Sequence, residues 1–169
     1  KPVAIRYPRG SGLGVKLDSS FSKIRLGQAE QLVAGTDVVL VAIGSMVKPS
    51  LDAVNLLAAQ GIKAGVINAR FLKPIDEHIL RHIALNTGLI VTVEENVLAG
   101  GFGSAVLEYI NSLQLNWVKV LTMGIGDKFI PHGSRIELLE ICKLTADGIA
   151  ETAGDFVKKF GARTWIKNG

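Results

Sequence analysis

Apolar residues along this chain change their period several times, and each change marks an element. Val38-Val39-Leu40-Val41-Ala42-Ile43 is a continuous, mostly β-branched run bounded by Asp37 and Gly44, the pattern of a strand covered on both faces. From Ser45 the period lengthens. Val47, Leu51, Val54, Leu57 and Ala58 form one helical stripe, Pro49 falls in its first turn, and Gly61 offers a left-handed stop. Ile62 to Asn68 predicts the next strand. Pro74-Ile75-Asp76-Glu77 predicts a helix start, with proline and acids suited to a first turn, and Ile75, Ile79 and Ile83 share one side before Gly88.

The chain is densest in signals between Leu89 and Leu113. Leu89 to Val93 reads as a buried strand, Glu94-Glu95-Asn96 as a polar turn and Gly100-Gly101-Phe102-Gly103-Ser104 as a glycine corner. Phe102, Val106, Tyr109, Ile110 and Leu113 then recur on one helical face. Val118 to Met123 predicts a last strand, 124–133 an irregular loop, and Arg135 to Ile141 and Thr145 to Lys159 two helices. Thr145 is an acceptable N-cap, and Ile149, Thr152, Ala153, Phe156 and Phe160 are spaced to pack. Upstream, Val3 to Tyr7 alternates like a strand, Gly10 to Ser22 reads as a linker, and Ile24 to Val33 as an edge strand. Strands alternating with helices argue for a mainly parallel sheet with helices on both faces.

Composition narrows the class. With 169 residues, 48% of them hydrophobic, the chain can bury an ordinary core, roughly 70% of its unfolded surface, without staples. A single cysteine, Cys142, excludes an internal disulfide framework, fits a reducing compartment, and reads as an inert core thiol in an apolar helix. No apolar run approaches the ~18 residues of a membrane span. The net charge of +4 is modest and scattered, and Lys158, Lys159, Arg163 and Lys167 read as a solvated tail or a contact with a partner, with no nucleic acid expected. The chain opens on Lys1-Pro2 and enters a strand pattern at once, from which we expect a piece cut from something longer.

Candidate chemistry is sparse. The glycine corner suits either close packing or an anion on helix N–H groups, but its spacing is neither a dinucleotide nor a Walker motif. Glu94 and Glu95, at the carboxyl end of a strand, suit helix capping and pairing with a base, or a shared interface or ligand. His78 and His82 have the i, i+4 spacing of a zinc pair but lack a third ligand; His132 sits in a loop without a sequence partner. No Ser/His/acid set stands out. Arg9, past Pro8 and beside Gly10, is suited to hold two phosphate oxygens at once, or is simply a solvated linker charge.

Four blocks taken together resemble one family. Ala4-Ile5-Arg6-Tyr7-Pro8-Arg9-Gly10, Asn68 through Glu77, Val91 through Val106 and Asp127-Lys128-Phe129-Ile130-Pro131-His132-Gly133 are similar to successive blocks of the 1-deoxy-D-xylulose-5-phosphate synthases, from the first residue to about Ala150. The resemblance implies a three-layer α/β/α, transketolase C-terminal-like domain over 23–169, with a five-stranded, mostly parallel sheet and one antiparallel strand. Residues 1–22 would be the end of a preceding pyrimidine-binding domain and a linker.

It further implies a cytoplasmic homodimer. The whole enzyme would use thiamine diphosphate and magnesium to decarboxylate pyruvate and join it to glyceraldehyde 3-phosphate. The product feeds isoprenoid, thiamine and pyridoxal synthesis. Arg9 matches the family's arginine on the glyceraldehyde 3-phosphate phosphate. Gly126 departs from the pattern, standing before Asp127 where the family carries proline, and leaves the roles of Asp127 and His132 open.

The cofactor-binding Gly-Asp-Gly with its later asparagine is missing: Gly126-Asp127 and Gly154-Asp155 are not followed by glycine. The expectation is therefore a fragment that is inactive alone, binds no cofactor itself, and relies on the missing N-terminal and middle domains of its chain. A transketolase, a 2-oxoacid dehydrogenase β-subunit or an independent interaction domain are the alternatives.

Overall fold

The computed structural model describes residues 2–5, 12, 14, 19, 20 and 22–161. The strand expected at Val3 to Tyr7 falls partly outside them, and the described 2–5 form no strand. Arg9 lies outside them too.

Five strands make one sheet in the order β1-β3-β2-β4-β5: β1 (Glu30–Val33), β2 (Val38–Ala42), β3 (Ala64–Asn68), β4 (Leu89–Val97) and β5 (Lys119–Ile125). Only β1 is antiparallel, pairing Glu30 with Asn68 at the carboxyl end of β3. The mostly parallel, one-antiparallel sheet expected from the resemblance is the one observed.

Alternation along each strand divides the core in two. Val38, Leu40 and Ala42 with Leu89, Val91 and Val93 face one side. There they meet Met46, Ala53 and Leu57 of α1 (Val47–Ala58, preceded by a 3-10 turn, Gly44–Met46) and Ile149, Ala153 and Phe156 of α5 (Ala146–Phe160). Val39, Val41, Ile67 and Ile90 face the other side, against Leu80 and Ile83 of α2 (Glu77–Asn86) and Phe102, Val106 and Ile110 of α3 (Phe102–Ser112). The result is a three-layer α/β/α domain.

Several local expectations change. Asp76 is the N-cap of α2, accepting the Ile79 N–H, so Pro74 precedes the helix and lies outside its first turn. Thr145 caps α5 as expected, accepting from Gly148 N–H. Between β5 and α5 lies α4 (Arg135–Ile141), which buries none of its residues completely. Cys142 is its C-cap and half-buried, rather than a thiol inside a core helix.

Candidate functional site at the carboxyl end of the sheet

The stretch expected to turn at Glu94 instead stays extended: β4 runs nine residues to Val97, with an irregularity in its pairing to β5 between Val93 and Val97. Because successive side chains on a strand point to opposite faces, adjacent glutamates must part company. Glu94 follows Ile90 and Thr92 toward α3; Glu95 goes to the α1 side.

Glu94 is buried, with 2% exposure. Its Oε2 accepts the Phe102 N–H at 2.8 Å and its Oε1 accepts the Gly103 N–H at 2.7 Å. A helix start leaves its first N–H groups without intrahelical partners and carries partial positive charge. A buried carboxylate across two of those amides satisfies both demands. The glycine corner is what lets it approach. A Cβ on Gly103 would sit 2.8 Å from Thr92 Oγ1 and Thr122 Cγ2, and one on Gly101 would collide with the Glu94 carboxylate. Gly100 turns the chain with φ 70°, while Ser104 Oγ accepts the Gly100 N–H and donates to the Leu98 carbonyl. Close packing is the role of Gly101 and Gly103, a left-handed turn that of Gly100, and the anion at the helix start is the protein's own.

Glu95 takes the base-pairing role. Its Oε1 accepts from Arg135 Nε at 2.9 Å, and its Oε2 from Arg135 Nη2 and Ser45 Oγ, both at 2.5 Å. The paired hydrogen bonds raise the pKa of the Arg135 guanidinium above that of an ordinary arginine. Ser45 belongs to the turn before α1 and Arg135 opens α4, so one carboxylate ties three connections at the end of the sheet. Ser134 completes the start of α4 through a capping box, its N–H donating to Glu137 Oε2 at 2.7 Å.

Sequence alone singles out neither Ser45 nor Arg135. Ser134-Arg135-Ile136-Glu137 carries the Ser-x-x-Glu signature that would have placed α4's start, and with it Arg135 at the sheet end. Nothing local announces a partner 40 residues away.

The other candidates do not join this cluster. Asp127 and His132 lie exposed in the loop, and His78 and His82 are exposed on α2, His82 Nδ1 lying 3.2 Å from Asn86 Nδ2. Gly126 has room around it, the nearest atom to an added Cβ being Lys128 Cε at 4.0 Å, so sterics do not demand glycine there. Among the described residues, no group of three or more His, Cys, Asp or Glu is arranged to hold an ion, and the amides at the start of α3 already face a carboxylate. Also among them, no helix is long and apolar enough to cross a membrane.

A mixed sheet with one antiparallel edge, helices on both faces and a self-capped helix at its carboxyl end defines the class as a three-layer α/β domain. Residues 27–149 match the family model "Transketolase, C-terminal domain", and the chain belongs to that family. It is 48% identical over 153 residues to the 1-deoxy-D-xylulose-5-phosphate synthase of Halothermothrix orenii, covering 90% of this chain and 24% of that protein. With the synthase 1 of Geobacter sulfurreducens the identity is 45% over 161 residues, 95% of this chain and 25% of the relative. The chain thus spans about a quarter of the length of these relatives.

A solved structure described as "Split gene transketolase, inactive beta4 tetramer" superposes with a TM-score of 0.74 at 35% identity, over 83% of this chain and 44% of that one. A Pichia stipitis transketolase shares the fold, with a TM-score of 0.58 at 24% identity over 80% of this chain and 19% of its own.

Proposed function

We propose that this chain is the C-terminal domain of a 1-deoxy-D-xylulose-5-phosphate synthase, within a longer polypeptide that condenses pyruvate with glyceraldehyde 3-phosphate and releases CO2. The observation that carries the reading is identity of 45–48% to synthases over nine-tenths or more of the chain. In this reading residues 1–22 end the preceding domain and 23–169 form the present one. Thiamine diphosphate and magnesium are held by the upstream domains, the enzyme is a cytoplasmic homodimer, and Arg9 grips the phosphate of glyceraldehyde 3-phosphate. The domain alone turns over nothing. Its contribution is subunit contact and that one arginine.

The test is the full-length protein given pyruvate and glyceraldehyde 3-phosphate with thiamine diphosphate and magnesium. Stoichiometric CO2 and a deoxyxylulose phosphate product are expected. The split-gene transketolase neighbour, at 35% identity, favours a second reading as a transketolase domain. Ketol transfer between sugar phosphates without CO2 release would select it instead.

A further inference from the structure

Large apolar side chains are unevenly distributed over the surface of this domain. Between residues 22 and 161 the three most exposed are Phe129, wholly in solvent, Leu26 at 76% and Ile136 at 68%. All three lie at the carboxyl end of the sheet. Phe129 belongs to the loop that leaves β5 after Ile125. Ile136 follows Arg135, which Glu95 holds at the end of β4.

Leu26 precedes Gly27, where an added Cβ would sit 2.8 Å from Pro74 Cγ. Two residues on, the Ala29 N–H donates to Asp76 Oδ2 at 2.8 Å. The opposite end carries Leu85 and Trp117, each only half exposed at 48%, and half-exposed Leu72 follows β3. Scattered apolar residues on a surface mean little, but a set gathered on one end of a domain marks something that covers it.

The antiparallel β1 says what that is. Because β1 runs against its neighbours, its first residue, Glu30, pairs with Asn68 at the carboxyl end of β3. Polypeptide arriving from upstream therefore enters the domain on the same end that carries the apolar set. We propose that Leu26, Phe129 and Ile136 form the seat of the domain that precedes this one in the full-length chain. This rests on the reading of the chain as part of a longer synthase. The interface is one within a single polypeptide, of the moderate size and mixed polarity usual between domains.

The test uses the full-length protein carrying Phe129→Cys, Leu26→Cys or, as control, Asn116→Cys in the exposed turn before β5 at the other end of the sheet. Maleimide labelling is followed by peptide mass spectrometry. Positions 129 and 26 should label about tenfold or more slower than 116, at a rate unchanged by dilution. Labelling as fast as at 116 overturns the proposal. Protection that vanishes on dilution assigns the surface to a second copy and overturns it too. Synthase turnover is assayed on the same wild-type preparation. Active protein in which the thiol at position 129 is unprotected sinks the interface alone, whereas inactive protein sinks the functional reading.

Discussion

Glu94 Oε1 lies 2.7 Å from the Gly103 amide nitrogen, a strand side chain closing the first turn of the helix that follows it. The contact explains why so polar a residue sits at 2% exposure, and why glycine stands at 101, where a Cβ would collide with Glu94 Oε2.

Glu94→Gln places an amide NH2 against one of two backbone donors, leaving a buried N–H unsatisfied at the positive end of α3. We expect a loss of about 2 kcal/mol, read as a lower urea midpoint at unchanged slope. An unaltered midpoint would mean the carboxylate does not hold the helix start.

Gly103→Ala attacks the same junction from the other side. Its Cβ would meet Thr92 Oγ1 and Thr122 Cγ2 at 2.8 Å, and overpacking of this kind costs about 1–3 kcal/mol. Thermal unfolding checks it, and a neutral effect would show that α3 can shift away from the sheet.

Thr92→Val should act in the opposite direction. The Thr92 hydroxyl is buried without a hydrogen-bond partner among the described residues, so a near-isosteric methyl removes an unsatisfied polar atom. A gain of about 1 kcal/mol is expected by denaturant titration. A loss would reveal a bond to that hydroxyl.

Glu137 supplies a pH dependence. The Ser134 N–H and then the Ser134 hydroxyl stabilise its charged form, holding its pKa below the usual carboxylate range. A depressed folded pKa stabilises the native state above the unfolded value of about 4.3, and that contribution is lost as pH falls through the folded pKa. The Ser134 amide resonance should titrate with a midpoint below about 4.3, and Ser134→Ala should move the Glu137 midpoint upward. A midpoint at or above that value would contradict the capping box.

The elements legible in the sequence are those whose burial is complete. Val38 to Ala42 is apolar at every position because both faces are covered, and the stripe of α1 is periodic because one face is. The sequence misleads where a polar residue is buried for a reason that tertiary structure alone supplies. Glu94 looks like a turn residue until the α3 amides are brought to it. Arg135 looks like a solvated helix residue until the fold delivers Glu95 from 40 positions away. Cys142 is the converse case, its apolar neighbours suggesting a core helix where α4 lies mostly on the surface.

The most direct measurement of the central claim, that this domain serves a synthase and adds a substrate-phosphate contact to it, is steady-state kinetics of the full-length protein with Arg9→Ala. Loss of one charge-assisted phosphate contact, about 1.5–3 kcal/mol, should raise KM for glyceraldehyde 3-phosphate by roughly 10- to 100-fold while KM for pyruvate stays within about twofold. Equal effects on both substrates, or none on either, would contradict the account.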